Sequence, residues 1–495
     1  MRWSEISIGW KVLVFGFVFL FFCAAAVQYK GNVFYYSVFS LIANAMLYFC
    51  FRDRAIFFDT FIGLFFWLGF WVKLTFRIVF MKGEFVLAGH FDGSPESLDT
   101  AVLVSSCGLS GLLLASYLRS RFVFNYPQVS GVDSQQGLFE FYVSYRKLIL
   151  MLFFVFMVFV GFFNVYFGIY QRGELVKTIL PFGLNGVITW LLLFGMASVV
   201  AIFLNFELRI NKDNYWWVIV YSFLEGVISN VSQLSRGMVI STGSLLYGVF
   251  VNFRREGFKV GRRFLLSIVC VFFILFASSA VMVTYVRNAS YIAAELDAQE
   301  QKKSVKNVMA DSGPPETQEG GPLTAGQVTV KAVASLLVDR WVGVEGVMAV
   351  SSYPALGWGL WRSAWAEVYN ENSLSFYDQN LIDSDYKNTD TSRFHFVSLS
   401  GIVAFFFYPG SYLFLFFSML GVGLLGAAIE IFVFRFGGRN IILCSLFSQI
   451  VAYRCMSFGY VPGQSYLLFG TIFCNVILIY LADKGLGYWR SRFES

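Results

Sequence analysis

Residues 147–168 read KLILMLFFVFMVFVGFFNVYFG. After Lys147 no charged side chain follows until Arg172. A helix rises about 1.5 Å per residue, so a run of about 20 apolar residues matches the hydrocarbon thickness of a bilayer. A membrane strand would alternate apolar and polar positions, and this stretch does not. The segment is therefore read as a membrane-crossing helix.

The rest of the chain repeats the pattern. Of 495 residues, 57% are hydrophobic and 14% charged, with a mean hydropathy of +0.64. Ordinary soluble proteins carry about 25% charged residues. This composition excludes a soluble enzyme, a disordered chain and an outer-membrane barrel. All seven cysteines (Cys23, Cys50, Cys107, Cys270, Cys444, Cys455 and Cys474) fall in apolar segments. No disulfide framework and no cysteine-based metal spacing follows from them. The first apolar run ends in Cys23-Ala24-Ala25-Ala26 and faintly imitates a signal peptide, but it is read as an uncleaved helix.

Twelve spans are expected, at about 9–28, 33–51, 56–80, 99–118, 147–168, 182–205, 215–231, 237–252, 264–286, 410–434, 440–457 and 465–482. Basic residues assign their direction. One set of connections and tails holds 20 of the 37 lysines and arginines, including Arg52, Arg54, Arg119, Arg121, Arg254, Arg255, Arg435 and Arg439. The short loops opposite hold five: Lys30, Lys82, Arg172, Lys177 and Arg236. By the positive-inside rule both termini are cytoplasmic. The net charge of +6 says less than this placement.

Three regions follow: transmembrane helices 1–9 in 1–286, a large outer loop in 287–395, and helices 10–12 with a cytoplasmic tail in 396–495. The loop opens with a charged stretch from Glu295 to Lys306, then a Gly/Pro-rich patch around Asp311–Pro322. From Val328 to Val350 apolar residues recur at helical spacing, and Pro354 closes the run. A loop of this length is usually functional or disordered, and the apolar helix argues for a folded, site-building loop. No internal repeat of the kind found in duplicated transporters is visible.

Charges inside spans mark functional sites by default. Asp59, Lys73, Arg77, Glu225, Glu430 and Arg454 are such residues. Two have structural alternatives: Glu430 is placed to snorkel, and Asp59 to pair with Arg52 or Arg54. Arginines form the stronger pattern. Arg77, Arg172, Arg236, Arg287 and Arg454 lie at or near outer span ends, and Arg340 lies in the apolar helix of the loop. The positive-inside rule would deplete arginine there. The planar guanidinium binds phosphate oxygens bidentately, so a converging set would receive a pyrophosphate; the alternative is contact with anionic lipid headgroups.

Only two histidines exist, His90 and His395, and His395 sits where the loop returns to the membrane. An imidazole with its ordinary pKa near 6.5 suits a general base, and a structural histidine is the other reading. Asp383-Ser384-Asp385 spells an acid pair that some glycosyltransferases use for a metal, a weak match in a Ser/Asp-rich loop. No phosphate-binding Gly-rich Lys loop, zinc-protease helix or serine-hydrolase elbow is present.

Several of these residues also form an ordered set. Ser235-Arg236-Gly237 resembles the Ser-Arg-Gly of the O-antigen ligase/polymerase superfamily. Arg340-Trp341 followed by Pro354, Gly357 and Gly359 resembles the Arg-Trp to Pro-x-x-Gly-x-Gly segment of its large periplasmic loop. His395, ahead of the apolar run that ends at Pro409-Gly410, is similar to that family's histidine. Arg172 and Gly183, with ten residues between them, are like an Arg-x10-Gly element of O-antigen polymerases. The resemblance spans about residues 170–430. Phe396 follows His395 where the family commonly has Asn, and Ser400 precedes Gly401 where Glu is frequent.

The resemblance implies an all-α, C-type glycosyltransferase-like membrane protein of the bacterial inner membrane. Its activity would be a metal-independent, inverting transfer on the periplasmic face, with no cofactor. Undecaprenyl-pyrophosphate-linked oligosaccharide repeat units would be polymerised into O-antigen or a similar surface polysaccharide. The alternatives are an O-antigen ligase acting on lipid A-core and a lipid-linked oligosaccharide flippase. Expected partners are these lipid-linked sugars, membrane lipids and a chain-length regulator protein, and no nucleic acid. On this reading Arg236, Arg287 and Arg340 clamp the pyrophosphate. His395 is the base or positions the acceptor, with Glu345 or Asp339 orienting. Arg172, Arg77 and Arg454 make further phosphate or sugar contacts.

Overall fold

A computed structural model describes residues 8–52, 54–85, 88–126, 135–210, 215–235, 237, 239–255, 338, 340–370, 373–382 and 397–493, with scattered positions between 261 and 281. The described chain is helical. Its long helices are α1 (Ile8–Gln28), α2 (Val33–Cys50), α3 (Phe57–Phe80), α4 (Pro95–Val123), α5 (Gln136–Phe167), α6 (Pro181–Ile210), α7 (Tyr215–Ser232) and α8 (Val239–Arg255). Three short helices follow, α9 (Val344–Ser351), α10 (Trp358–Trp365) and α11 (Phe376–Asn380). Then come α12 (Ile402–Phe407), α13 (Tyr412–Phe436), α14 (Ile441–Met456) and α15 (Ser465–Phe493).

Seven of these helices are long and apolar enough to cross a membrane, and shorter apolar helices cover Val12–Gln28, Ile219–Ser232 and Ile441–Met456. Eleven of the expected segments coincide with helices. The one at 264–286 lies largely outside the described residues. In α5 the backbone leaves helical geometry at Tyr145 (φ −118°), two residues before the apolar run begins at Lys147.

Hydrogen bonds and ion pairs between helix ends gather the described connections at two ends. At one end, which we call the basic end, Arg52, Arg119, Arg209, Arg254, Arg255 and Arg435 stand at or just past the C-termini of α2, α4, α6, α8 and α13. Cations there meet the negative pole of the helix dipole. Small residues let the helices touch. A Cβ on Gly111 would meet the Phe416 carbonyl at 2.6 Å, and one on Gly423 would meet Ala115 at 2.4 Å, so α4 and α13 lie backbone to backbone. Close approach through small residues is how apolar helices associate without a hydrophobic drive from water.

Two buried acids belong to this framework. Glu430, expected to snorkel, is enclosed instead: its carboxylate accepts from the Phe57 and Phe58 amides (3.0 and 2.7 Å), Ser448 Oγ (2.8 Å) and the Tyr126 hydroxyl. It caps α3, whose own preceding residue, Ile56, offers no side-chain acceptor. Asp59 pairs with Arg119 (2.5 Å), not with Arg52 or Arg54 as expected. Arg52 reaches it only through Ser116, which donates to Asp59. Residue 119 lies on a widened π-helical turn at the end of α4, and sequence distance does not measure that approach.

The opposite, loop-rich end holds the described part of the 287–395 segment, and this part is built into the helical body. In α9, Val344, Val347, Met348, Ala349 and Val350 are fully buried against α4 and α12. Of the expected helix over 328–350, residues 328–337 and 339 lie outside the described residues; Val338 is helical, Arg340 stands in a turn, and the helix resumes at Val344. The break comes from a backbone crossing. Gly69, in the π-helical turns Trp67–Val72 of α3, lies against Val342 and Gly343; a Cβ on Gly343 would meet the Gly69 carbonyl at 2.3 Å. A second crossing follows at once, where a Cβ on Gly346 would meet the Ser400 carbonyl at 1.9 Å. Gly459 admits Ser400 from the other side, and the Gly401 amide donates to the Phe458 carbonyl (2.9 Å).

These crossings predict a sharp contrast among glycines. Gly346→Ala overpacks two backbones and should destabilise the purified protein by about 1–3 kcal/mol in a denaturant or thermal assay. Gly357→Ala, whose Cβ would meet nothing within 4 Å, should leave stability unchanged. Equal stability of the two variants would contradict the crossing.

Candidate functional site

The loop-rich end gathers most of the expected site residues that are described. The first group forms around Glu345, in the first turn of α9. Lys73 Nζ donates to Glu345 Oε2 at 2.6 Å and to the Trp341 carbonyl at 3.2 Å. Arg77, one turn further along α3, faces Glu345 Oε1 at 3.5 Å and donates to the Glu84 carbonyl at 2.9 Å. The π-helical widening just before Lys73 explains the alignment. Its extra residue per turn resets the face on which Lys73 and Arg77 emerge, turning both toward α9.

Both cations are buried, with side chains 3% and 2% exposed, whereas the Glu345 side chain is 14% exposed. A carboxylate between two such cations orients them and is oriented by them. Arg77 is thereby turned into the protein wall. From there it positions Glu345.

Arg340 is half-buried immediately before Trp341, whose carbonyl Lys73 holds. The Trp341 ring stacks on Phe65 (centroids 5.7 Å apart, planes at 23°), and Phe65 meets Tyr453 edge-on (6.1 Å, 85°). Tyr453 leads to the second group. A Cβ on Gly237 would lie 3.4 Å from Arg172 Nη1, 3.5 Å from Ser235 Oγ and 3.6 Å from the Tyr453 hydroxyl. The Arg172 amide donates to the Gln233 carbonyl (2.9 Å), and Ser235 Oγ accepts from the Gly237 amide (3.2 Å). An aromatic bridge of three rings therefore joins the Arg340–Glu345 corner to the Arg172–Gly237 corner.

Arg454 belongs to the same end but is bonded elsewhere. Its guanidinium reaches Ser465 Oγ (3.3 Å) and the Tyr460 carbonyl (3.5 Å), tying down the turn that follows α14. Glu367 holds that turn from the loop side, accepting from the Val461 amide at 2.8 Å and from the Phe376 amide. Burial pushes the Glu367 carboxyl up, the two amides pull it back, and nearby Asp378 adds to the rise. Asp378, fully buried, accepts from Ser375 Oγ (2.5 Å) and from the Ser398 amide (3.0 Å).

Arg236, Arg287, Asp339, His395 and the Asp383-Ser384-Asp385 triplet lie outside the described residues. His90 is exposed and rests near Tyr353, ring centroids 5.8 Å apart. Lys73 reads from the sequence only as an intramembrane charge; its four-residue spacing from Arg77 is the signal that joins it to the site. No sequence pattern marked Tyr453, Glu367 or Asp378: beside local bonds from Phe376 and Ser375, Glu367 meets Val461, 94 residues away, and Asp378 meets Ser398, 20 residues away.

The Glu345 group gives a double-substitution test. Lys73→Met leaves a buried carboxylate short of a partner and should cost about 3 kcal/mol. Lys73→Met combined with Glu345→Leu should cost clearly less than the sum of the two single changes, because neither half is left stranded. Additive losses in unfolding assays would show that the two side chains do not depend on each other. Among known proteins, no family model, no curated protein and no solved structure matches this chain.

Proposed function

We propose that this chain is a glycosyltransferase that polymerises lipid-linked oligosaccharide repeat units, of the O-antigen polymerase type. It would sit in the bacterial inner membrane with twelve crossings and both termini cytoplasmic. The gathering of cations at the basic end supports that orientation. The loop-rich end would then face the periplasm, where undecaprenyl-pyrophosphate carriers present their sugars.

One observation carries the reading: a buried Lys73–Arg77–Glu345 group fixes the Arg340–Trp341 turn, and an aromatic bridge connects it to Arg172 and Gly237. An interfacial arginine that only met lipid headgroups would not need a buried support behind it. Transfer requires an acceptor hydroxyl to attack the anomeric carbon as the bond from that carbon to the pyrophosphate oxygen breaks. The electron pair leaves with the pyrophosphate, and the hydroxyl proton goes to a base. Arginines aimed at the leaving group stabilise its growing charge without reorganisation. Arg340 and Arg172, with Arg236 and Arg287 from the sequence, would supply that charge.

Glu345 acts in this scheme as a positioning residue, and His395 keeps the role of base that the resemblance gives it. Asp378 anchors Ser398, three residues further along the chain. Aromatic rings at the bridge suit stacking on sugars and contact with the prenyl tail.

Purified protein supplied with lipid-linked repeat units, without ATP or added metal, should produce a ladder of lengths. A chelator should leave that ladder intact. Arg340→Lys should reduce turnover at least about tenfold, since a point charge does not replace the planar fork. A deletion strain should carry single repeats on its lipid core. Long chains stranded on the carrier would indicate a ligase, and repeats trapped inside the cell a flippase.

A further inference from the structure

The basic end contains a hollow that the transferase reading does not use. Its volume is about 910 Å³, and Arg52, Arg54, Arg121, Arg254 and Arg255 line it. No aspartate or glutamate is among the described lining residues. The positive-inside rule accounts for cations on a surface, but not for their arrangement around a cavity. This hollow reaches inward past the helix ends, to buried Thr60 on α3 and to Tyr247 on α8.

Two buried acids of the described residues beside this wall are bonded to other groups. Asp59 is held by Arg119 and Ser116, and Glu430 by the α3 amides, Ser448 and Tyr126. The wall is also preorganised. Arg52 is pinned to Ser116 through one nitrogen (2.7 and 3.0 Å) and lies over the Phe49 ring at 4.8 Å. Its Nε is a buried donor without an acceptor among the described residues. Arg255 lies 4.8 Å over the Tyr126 ring, which meets Phe57 edge-on, and Phe57 meets Tyr247 in the same way. Guanidinium groups backed by aromatic rings form a rigid receptor for planar or tetrahedral oxyanions.

We propose that this hollow binds a phosphate-bearing anion, with room beyond the phosphate for a group the size of a lipid headgroup. A single phosphate would fill a small fraction of the volume. The recognising chemistry is the same for an anionic phospholipid headgroup entering from the leaflet and for a soluble phosphate compound. The proposal stands independently of the transferase activity.

Full-length protein purified in detergent provides both arms. In the first, it is mixed with phosphatidylglycerol or phosphatidylcholine, and retained lipid is read by native mass spectrometry. In the second, inorganic pyrophosphate is titrated and the thermal unfolding midpoint is followed. Arg54 and Arg121 are exposed at the rim, so Arg54→Gln/Arg121→Gln spares the packed wall. It should weaken binding at least about tenfold, the scale of one or two charge-assisted contacts. Arg435→Gln/Arg439→Gln removes equal charge from exposed positions at the same end, outside the hollow, and should leave binding unchanged.

If the rim variant fails to fold, Arg54→Lys/Arg121→Lys keeps the charge and should still weaken binding by losing the fork. Selective retention of phosphatidylglycerol would identify a headgroup, and stabilisation by pyrophosphate a soluble ligand; either supports the site. Binding in neither arm would overturn it. So would equal losses in the rim and control pairs, which would reduce the effect to bulk surface charge.

Discussion

A charge buried among apolar helices must bring its partner with it, because neither lipid nor packed side chains can replace water. The described core obeys this constraint at several places. Arg146 grips Glu207 through a two-pronged contact (2.6 and 2.5 Å), with the Tyr142 hydroxyl as a third donor. Glu430 is satisfied by amides and hydroxyls and Asp59 by a guanidinium, while Glu345 draws in two cations from another helix. Glu225 is less fully served. Ser229 donates to one of its oxygens (2.8 Å), and the other is buried without a hydrogen-bond partner.

Two backbone crossings determine where the Glu345 group can stand. Gly343 against Gly69 brings the start of α9 to the π-helical turn of α3, and Gly346 against the Ser400 carbonyl fixes the returning chain beside it. At Gly401 the backbone has φ +81°, a left-handed value that glycine adopts without strain. By contrast, Gly357 and Gly359, which carry part of the family resemblance, border open space. Their side-chain-free surface leaves room beside α10 at the loop-rich end, where the proposed reaction would need a groove for sugars.

The two ends of the molecule treat arginine differently. At the loop-rich end the guanidinium of Arg77 is folded into the wall, while Arg340 and Arg172 keep partial exposure beside aromatic rings. At the basic end five arginines line a hollow, and two of them, Arg52 and Arg255, are backed by Phe49 and Tyr126. Buried support behind a half-exposed cation fixes its direction, which is what recognition of a phosphate requires.

The helices themselves were legible in the chain. Apolar runs of membrane length, interrupted by basic residues and glycine turns, specify a helical membrane protein because backbone groups in hydrocarbon must bond within their own segment. The run from Lys147 already states this alone, and arginine placement states which helix ends lie together. The partners of the buried charges were not legible. Asp59 lies closer in sequence to Arg52 and Arg54 than to Arg119, and Glu345 is 272 residues from Lys73. Periodicity records which face of a helix is apolar, not which distant helix will meet it. That choice belongs to the glycine crossings and π-helical turns, since backbone contact and a one-residue change of register decide which side chains face each other.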